Sequence, residues 1–200
     1  MKLKTLSSIL LSTTIAHTAM AAEVITKDPA DMNWTGSVGL TFSTLDTDVA
    51  NEAAVGEQMS SLELAFNYSE ANFVVGGGFG LLIFDDQSDE SYYVETSNGD
   101  IEDRDADANG FNFFFEGGYR HNIGQFNLDL VGGVQGISAE RSVSNCTDCP
   151  TAELEIDGGT YIKPRVSYSY SPTGVLELGY AQYLSGDIQS TLALTWGGRF

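Results

Sequence analysis

Apolar and polar residues alternate one by one along eight separate stretches of the chain. This period of two is the pattern of a β-strand with one apolar face. The eight apolar rows run over Trp34–Phe42, Leu62–Tyr68, Phe73–Ile83, Phe111–Tyr119, Phe126–Val134, Ile162–Tyr170, Leu176–Leu184 and Leu192–Phe200. Eight such strands fit the smallest even-numbered antiparallel β-barrel.

The segments between these rows alternate between short and long. Short turns are expected at 69–72, 121–124 and 171–174, and long polar loops at 44–60, 85–109 and 138–157, with a brief last loop at 185–187. Short periplasmic turns and longer extracellular loops are typical of outer-membrane barrels. The sequence therefore predicts an all-β fold, an eight-stranded antiparallel up-and-down transmembrane β-barrel with short periplasmic turns and long acidic extracellular loops.

Charged residues within the eight segments all fall between the apolar positions, on the opposite strand face. They are Glu63, Glu116, Arg120, Asp129, Lys163, Arg165, Glu177 and Arg199. A charge that faces the bilayer midplane costs about 2–4 kcal/mol, so lipid on the apolar side would enforce this segregation. A soluble β-sandwich also alternates, but it does not explain why aromatic residues gather at both ends of the apolar rows, as in membrane girdles.

The N-terminus has the pattern of an export signal. A basic head at Met1–Lys4 precedes a short apolar centre and the small-residue site Ala19-Met20-Ala21. A first membrane helix is the alternative, but its apolar centre falls short of the roughly 20 residues that a span needs. We expect residues 1–21 to be a cleavable signal peptide for Sec-type export, and residues 22–200 to be one barrel domain in the bacterial outer membrane.

Charge limits the partners of the protein. The formal net charge is −19, with 28 acidic residues against nine lysines and arginines. Nucleic acid is bound by clustered basic side chains, so no nucleic-acid partner is expected. The mean hydropathy of −0.09 suits a barrel, in which lipid-facing and interior residues alternate.

The chain resembles the small outer-membrane β-barrel superfamily that includes the OmpA transmembrane domain, OmpX, OmpW and the opacity-type surface proteins. The resemblance rests on the signal peptide, the eight rows and the terminal Leu192-x-Leu194-x-Trp196-x-Gly198-x-Phe200. It implies contact with outer-membrane lipid and lipopolysaccharide, and Trp196 and Phe200 are similar to the signal that the barrel assembly machinery recognises. Its motifs are architectural and do not specify an activity.

The interior charges allow two interpretations. An eight-stranded barrel is only wide enough for side chains to fill it, so the four acids and four bases are expected to pair across the lumen and plug it. A narrow pore for small solutes or cations is the alternative. The favoured function is a structural or surface-interaction role, with the loops as sites for an extracellular ligand.

The second loop suggests a third function, Ca²⁺ binding at the surface. Asp103, Asp105, Asp107 and Asn109 form an alternating row of oxygen ligands that partly matches an EF-hand loop. A true EF-hand is rejected because strand residues follow directly and no helices flank the row. A solvated acidic loop is the simpler interpretation.

Other chemistry finds little support in the sequence. Cys146 and Cys149 are the only cysteines, and export through an oxidising compartment favours a disulfide between them. The mature chain would keep one histidine, His121, placed in a periplasmic turn. A Ser-His-acid site at the loop rim would lack its base, so no enzymatic activity and no obligatory cofactor are expected.

Overall fold

The computed structural model describes residues 33–88, 91–95, 101–143 and 151–200, of which 91–95 and 101–105 are described by their backbone alone. Its elements are β1 (Trp34–Leu45), α1 (Thr47–Glu52), β2 (Val55–Glu70), β3 (Phe73–Asp86), β4 (Ser91–Glu95), β5 (Ile101–Ile123), β6 (Phe126–Val143), β7 (Ala152–Leu154), β8 (Thr160–Ser169), β9 (Gly174–Tyr183) and β10 (Ile188–Arg199).

The strands close into a barrel. Each barrel strand pairs antiparallel with its neighbours, and β1 pairs with both β2 and β10. The short β4 pairs with β5 on the same side as β3, nearer the loop rim. In the same way, β7 pairs with β6 on the same side as β8, nearer the loop rim. Ten strands therefore occupy eight positions, and the predicted eight-stranded antiparallel up-and-down barrel is confirmed.

The two rims of the barrel differ. The short-turn rim carries the β2–β3, β5–β6 and β8–β9 connections and both ends of the barrel chain, where Phe200 donates its backbone N–H to Trp34 at 2.9 Å. Gly124 takes φ 61° in its turn, a left-handed conformation that favours glycine. His121 lies within β5 and not in a turn as predicted, because that strand runs on to Ile123.

The opposite, loop rim departs further from the prediction. β2 begins at Val55, β5 already includes 101–109, and β6 continues to Val143, so strands occupy much of the predicted loops. These extensions present polar residues outward and small or apolar residues such as Ala108 inward. Their sequence resembles that of loops because the apolar residues of these extensions point inward, whereas those of the belt point outward.

The outer wall of the barrel carries an apolar belt. Large hydrophobic side chains project from it, including Phe73 at 71 %, Leu81 at 61 % and Phe115 at 61 % exposure. In water this surface would be far larger than the apolar patches that soluble monomers tolerate. Lipid is its natural solvent, and the closed sheet leaves no unpaired edge within the belt.

The buried apolar core lies inside the barrel near the loop rim. This apolar layer consists of Leu45, Ala50, Val55, Met59, Leu82, Phe84, Ala108, Ala139, Leu154, Ile156 and Ile188. Alternation along β3 places Leu81 and Ile83 outside and Leu82 and Phe84 inside. The barrel therefore has two apolar surfaces, one outward in the belt and one inward toward the loop rim.

Candidate functional site in the barrel interior

All eight charged residues predicted for the lumen lie on inward strand positions, and five of them are buried: Glu116, Arg120, Asp129, Arg165 and Glu177. Six of the eight are linked by ion pairs. This arginine network consists of Glu116, Arg120, Asp129, Lys163, Arg165 and Glu177.

Arg165 is the centre of the network. Its Nη1 donates to Glu116 Oε1 at 2.8 Å, and its Nε donates to Asp129 Oδ2 at 2.9 Å. Glu177 Oε2 lies 3.8 Å from the same Nε and accepts a 2.8 Å hydrogen bond from Ser167. A guanidinium suits this position because its planar donors can bind several carboxylates at once.

Asp129 also joins Arg165 to Arg120. Nε and Nη2 of Arg120 donate to the two carboxylate oxygens of Asp129, each at 2.7 Å. Arg120 and Asp129 are direct partners in the β5–β6 register, and Asp129 faces Arg165 in the β6–β8 register. Strand pairing alone therefore brings these three side chains together.

Lys163 extends the network toward the loop rim. Its amine contacts the Glu116 carboxylate and lies 5.5 Å from the centre of the Phe114 ring and 5.6 Å from that of Tyr161. Tyr161 donates its hydroxyl proton to Glu116 at 3.1 Å. Glu116 is thus held by two cations and a hydroxyl, which offsets the cost of burying its charge.

Glu63 and Arg199 are not brought into an ion pair within the described residues. Glu63 accepts a 3.2 Å hydrogen bond from Asn112 and a longer one from Ser61. Arg199, near the short-turn rim, donates to Ser169 at 2.7 Å. The four acids and four bases of the lumen therefore do not form four separate ion pairs in the described part of the chain.

The free space beside the network is small. A cavity of about 20 Å³ adjoins Glu63 and Lys163, and Ser37 and Asn67 line its wall. The Ser37 hydroxyl and the Asn67 side-chain oxygen are buried without a hydrogen-bond partner. This volume exceeds the roughly 10–15 Å³ that one water molecule requires, so hydration of these groups is sterically feasible.

Arg141 forms a second polar centre that the sequence interpretation missed, because it assigned 138–157 to a loop. Nε and Nη2 of Arg141 donate to Asp86 at 2.9 and 3.1 Å, and Nη2 also reaches the carbonyl oxygens of Ala53 and Ala54 at 2.7 and 3.1 Å. Arg141 has the same parity as Asp129 on β6, a signal that could have identified it as inward-facing.

Asp86 lies beyond the apolar belt, at the end of β3. Its side chain is only 11 % exposed. Burial alone would raise its pKa, but the hydrogen bonds from Arg141 and from the Ser88 backbone outweigh that effect and hold the pKa below its usual value of 3.8. Asp86 is therefore a charged anchor for Arg141.

Helix α1 covers the inner face near Arg141. Asp46 begins the helix by accepting the Asp48 N–H at 3.0 Å, and its own N–H donates to the Asp187 carbonyl across the rim at 2.7 Å. Ala50 is 1 % exposed and packs into the apolar layer. Because Arg141 binds the carbonyls that follow the helix, the segment is fixed at both ends.

The residues of the predicted Ca²⁺ site occupy alternate positions of β5. Asp107 and Asn109 are exposed, whereas the side chains of Asp103 and Asp105 lie outside the described residues. No three His, Cys, Asp or Glu side chains in the described part of the chain are placed to hold a metal ion. The Ca²⁺ site stays a prediction.

Several other predicted features can be placed only in part. Cys146, Cys149 and the signal segment 1–21 lie outside the described ranges. Trp196 pairs with Val38 on the outer wall, and Phe200 is 52 % exposed at the short-turn rim. Their role as an assembly signal stays a prediction. No helix in the ranges that the structure covers is long and apolar enough to cross a membrane.

Comparison with known proteins gives a structural similarity and no sequence match. No protein-family model matches the chain, and no curated protein matches it significantly. Neisserial surface protein A superposes with a TM-score of 0.52 at 11 % identity, covering 84 % of this chain and 96 % of that one. At this identity the similarity shows the fold alone.

Two further solved barrels match with lower scores. The N-terminal β-barrel domain of Pseudomonas aeruginosa OprF has a TM-score of 0.38 at 8 % identity, covering 83 % of this chain and 98 % of that domain. An outer-membrane channel from Pseudomonas putida F1 has a TM-score of 0.31 at 12 % identity, covering 89 % of this chain and 100 % of that one.

The closed eight-stranded fold and its outward apolar belt together make this chain an integral outer-membrane barrel.

Proposed function

We propose that the protein is a non-enzymatic outer-membrane barrel whose lumen is closed to solutes, with a structural or surface-interaction role. The observation that supports this proposal is the succession of two layers of buried side chains along the inside of the barrel. The arginine network lies in the lumen within the belt, and the apolar layer under α1 lies in it near the loop rim.

The two layers block different solutes. Ions that pass the arginine network would have to break buried pairs, each of which costs several kcal/mol when one partner is left alone. Polar solutes that pass the apolar layer would lose their hydration among Leu45, Met59 and Phe84. The free space that remains beside Glu63, about 20 Å³, is of the size of a water molecule and not of a solute path.

Conductance measurements test the closed lumen. The full-length mature protein, shown to be folded by heat-modifiable gel migration, is reconstituted into planar bilayers and recorded in concentrated KCl. We expect electrical silence, with a porin reconstituted in parallel to show that openings are detectable. Steady openings of the wild type that change when an interior residue is substituted would contradict the proposal.

Two variants locate any current that appears. Glu116→Gln alters the arginine network, whereas Glu57→Gln alters an exposed carboxylate at the start of β2, near the loop rim. Openings that change in Glu116→Gln and not in Glu57→Gln would establish the narrow pore, the alternative function. Openings insensitive to both would assign the current to leakage at the lipid boundary.

A surface role would depend on the parts beyond the belt. The candidates for extracellular contact are α1, the β4–β5 hairpin and the segment between β6 and β8, and lipopolysaccharide and the barrel assembly machinery are further proposed partners. Removing residues 88–105 deletes the hairpin but keeps Asp86 and the β5 residues from Ala106 onward, which pair with β6. This deletion should leave heat-modifiable folding intact while changing binding of cells to a surface.

The non-enzymatic assignment follows from the side chains that are available. His121 is the only histidine outside the signal segment, and it is exposed at the end of β5 near the short-turn rim. A general base for hydrolysis should lie within hydrogen-bond reach of a nucleophile, and among the described residues the imidazole of His121 forms no hydrogen bond with another side chain. We therefore propose no catalytic residues.

A further inference from the structure

An external groove lies at the short-turn rim, where β2, β3 and β5 meet. Its walls are the rings of Tyr68, Phe73 and Tyr119, and Val75 and Gly118 contribute to its floor. The groove is an open depression with a volume of about 760 Å³. Phe73, Val75 and Tyr119 belong to the outward apolar belt, so the groove opens toward lipid.

The polar end of the groove has two hydrogen-bonded pairs. Tyr68 donates its hydroxyl proton to Glu70 at 3.0 Å. Asn72 donates its amide to the Tyr119 hydroxyl at 3.1 Å, which leaves the Tyr119 proton free for an outside acceptor. Glu70 is exposed and keeps acceptor capacity for a further donor. The groove thus offers an anionic acceptor and a hydroxyl donor next to an apolar cleft.

The charge of the outer wall selects what can occupy this groove. Every lysine and arginine with a described side chain belongs to the interior: Arg120, Arg141, Lys163, Arg165 and Arg199. Within the described residues, Glu70 therefore has no basic neighbour on the outer wall. A lipid with a net negative head group would be repelled here, whereas a primary ammonium group would be attracted.

We propose that the groove binds one ethanolamine phospholipid from the leaflet at the short-turn rim. An acyl chain lies along Phe73 and Val75, the ammonium group donates hydrogen bonds to Glu70, and a phosphate oxygen accepts one from Tyr119. A choline head group has no N–H and cannot make the bond to Glu70. The proposal adds a lipid site to the proposed function and depends on membrane insertion but not on a closed lumen.

Native mass spectrometry of the folded full-length mature protein tests this site. The protein is released from bilayers that contain ethanolamine, choline and glycerol phospholipids with identical acyl chains, and retained lipids are counted. We expect the ethanolamine lipid to be retained about two- to fivefold more than either competitor, as for one exposed charge pair. Equal retention of the three lipids would overturn the proposal.

Three variants separate the contacts. Glu70→Leu should abolish the preference for ethanolamine over choline, because leucine offers no acceptor to the ammonium N–H groups, while Glu57→Leu near the loop rim should keep it. Tyr119→Phe should lower retention of the ethanolamine and choline lipids alike, because both carry the phosphate. A preference that persists in Glu70→Leu, or disappears equally in Glu57→Leu, would refute the site.

Discussion

Two arginines organise the interior at the residue scale. Arg165 binds three carboxylates inside the belt, and Arg141 binds one carboxylate and two carbonyl oxygens near the loop rim. Both are buried, so each depends on its acceptors to replace water. Because Arg141 and Asp86 lie beyond the belt, their pairing can be titrated from the aqueous side.

Arg141→Ala should destabilise the barrel by roughly 3 kcal/mol, because it leaves the Asp86 carboxylate and two carbonyls buried without their donor. Asp86 has a lowered pKa when folded, so its contribution is fully present above its usual value of 3.8 and is lost as the pH falls through the lower folded value. The difference in unfolding free energy between wild type and variant should therefore be constant near neutral pH and shrink below about pH 4.

Urea unfolding in lipid vesicles at several pH values measures this difference. Glu140→Ala is the matched control, since Glu140 precedes Arg141 on β6 but is exposed on the outer wall. The control should unfold like the wild type at each pH. An Arg141→Ala difference that grows with acidity would be inconsistent with a carboxylate held in its charged form.

At the element scale, the strands rise beyond the belt and carry a helical cap. β5 is 23 residues long, far more than the 9–11 that a tilted strand needs to cross a bilayer. The surplus supports the apolar layer, and α1 contributes Ala50 to it. This part of the molecule is built like a water-soluble core, with apolar residues inside and polar residues outside.

Ala50→Glu should detach α1 without unfolding the barrel, because it places a charge among Leu45, Met59 and Leu82 while the strands keep their pairing. Limited proteolysis should then cut near residues 46–54, while the heat-modifiable form persists. Asn51→Glu, one residue further on the exposed side of the helix, should remain resistant. Equal resistance of both variants would show that the cap does not depend on Ala50.

The sequence predicts these elements unevenly, for physical reasons. Alternation identifies strands where one face meets lipid. The pairing of Arg120 with Asp129 depends on a two-residue turn after Ile123, whereas the sequence predicted a turn at 121–124, which would give a different register. Alternation fails along Leu81–Phe84, where both faces are apolar, and in the polar extensions of β5 and β6. The separation of Glu63 from the arginine network depends on barrel stagger, which no local pattern encodes.

At the scale of the whole molecule, the outer wall of the barrel is in contact with two solvents, lipid and water. Lipid contacts the belt, and water contacts the extensions, so a charge on the outer wall has a cost that varies with its height. Phe115 lies in the middle of the outward row of β5, and Phe111 lies toward the loop rim. Both side chains are more than half exposed on the outer wall, so replacing either of them does not disturb the packing of the interior.

Phe115→Lys should lower the free energy of unfolding in vesicles by about 2–4 kcal/mol, whereas Phe111→Lys should lower it by about 0–1 kcal/mol. Urea titration followed by the fluorescence of Trp34 and Trp196 measures both variants. The depth dependence arises because lysine near the rim can extend its amine to water. Equal costs at the two positions would indicate that the belt is not centred on Phe115.

The opposed faces of β3 also constrain how such a gene can change. Leu81 and Ile83 face lipid while Leu82 and Phe84 fill the interior, and one unbroken strand register holds them there. Inserting or deleting one codon within β3 would exchange the two sets and turn the adjoining inward glycines toward lipid. Length variation between natural homologues should therefore concentrate beyond the paired strands, while the strands themselves diverge by substitution.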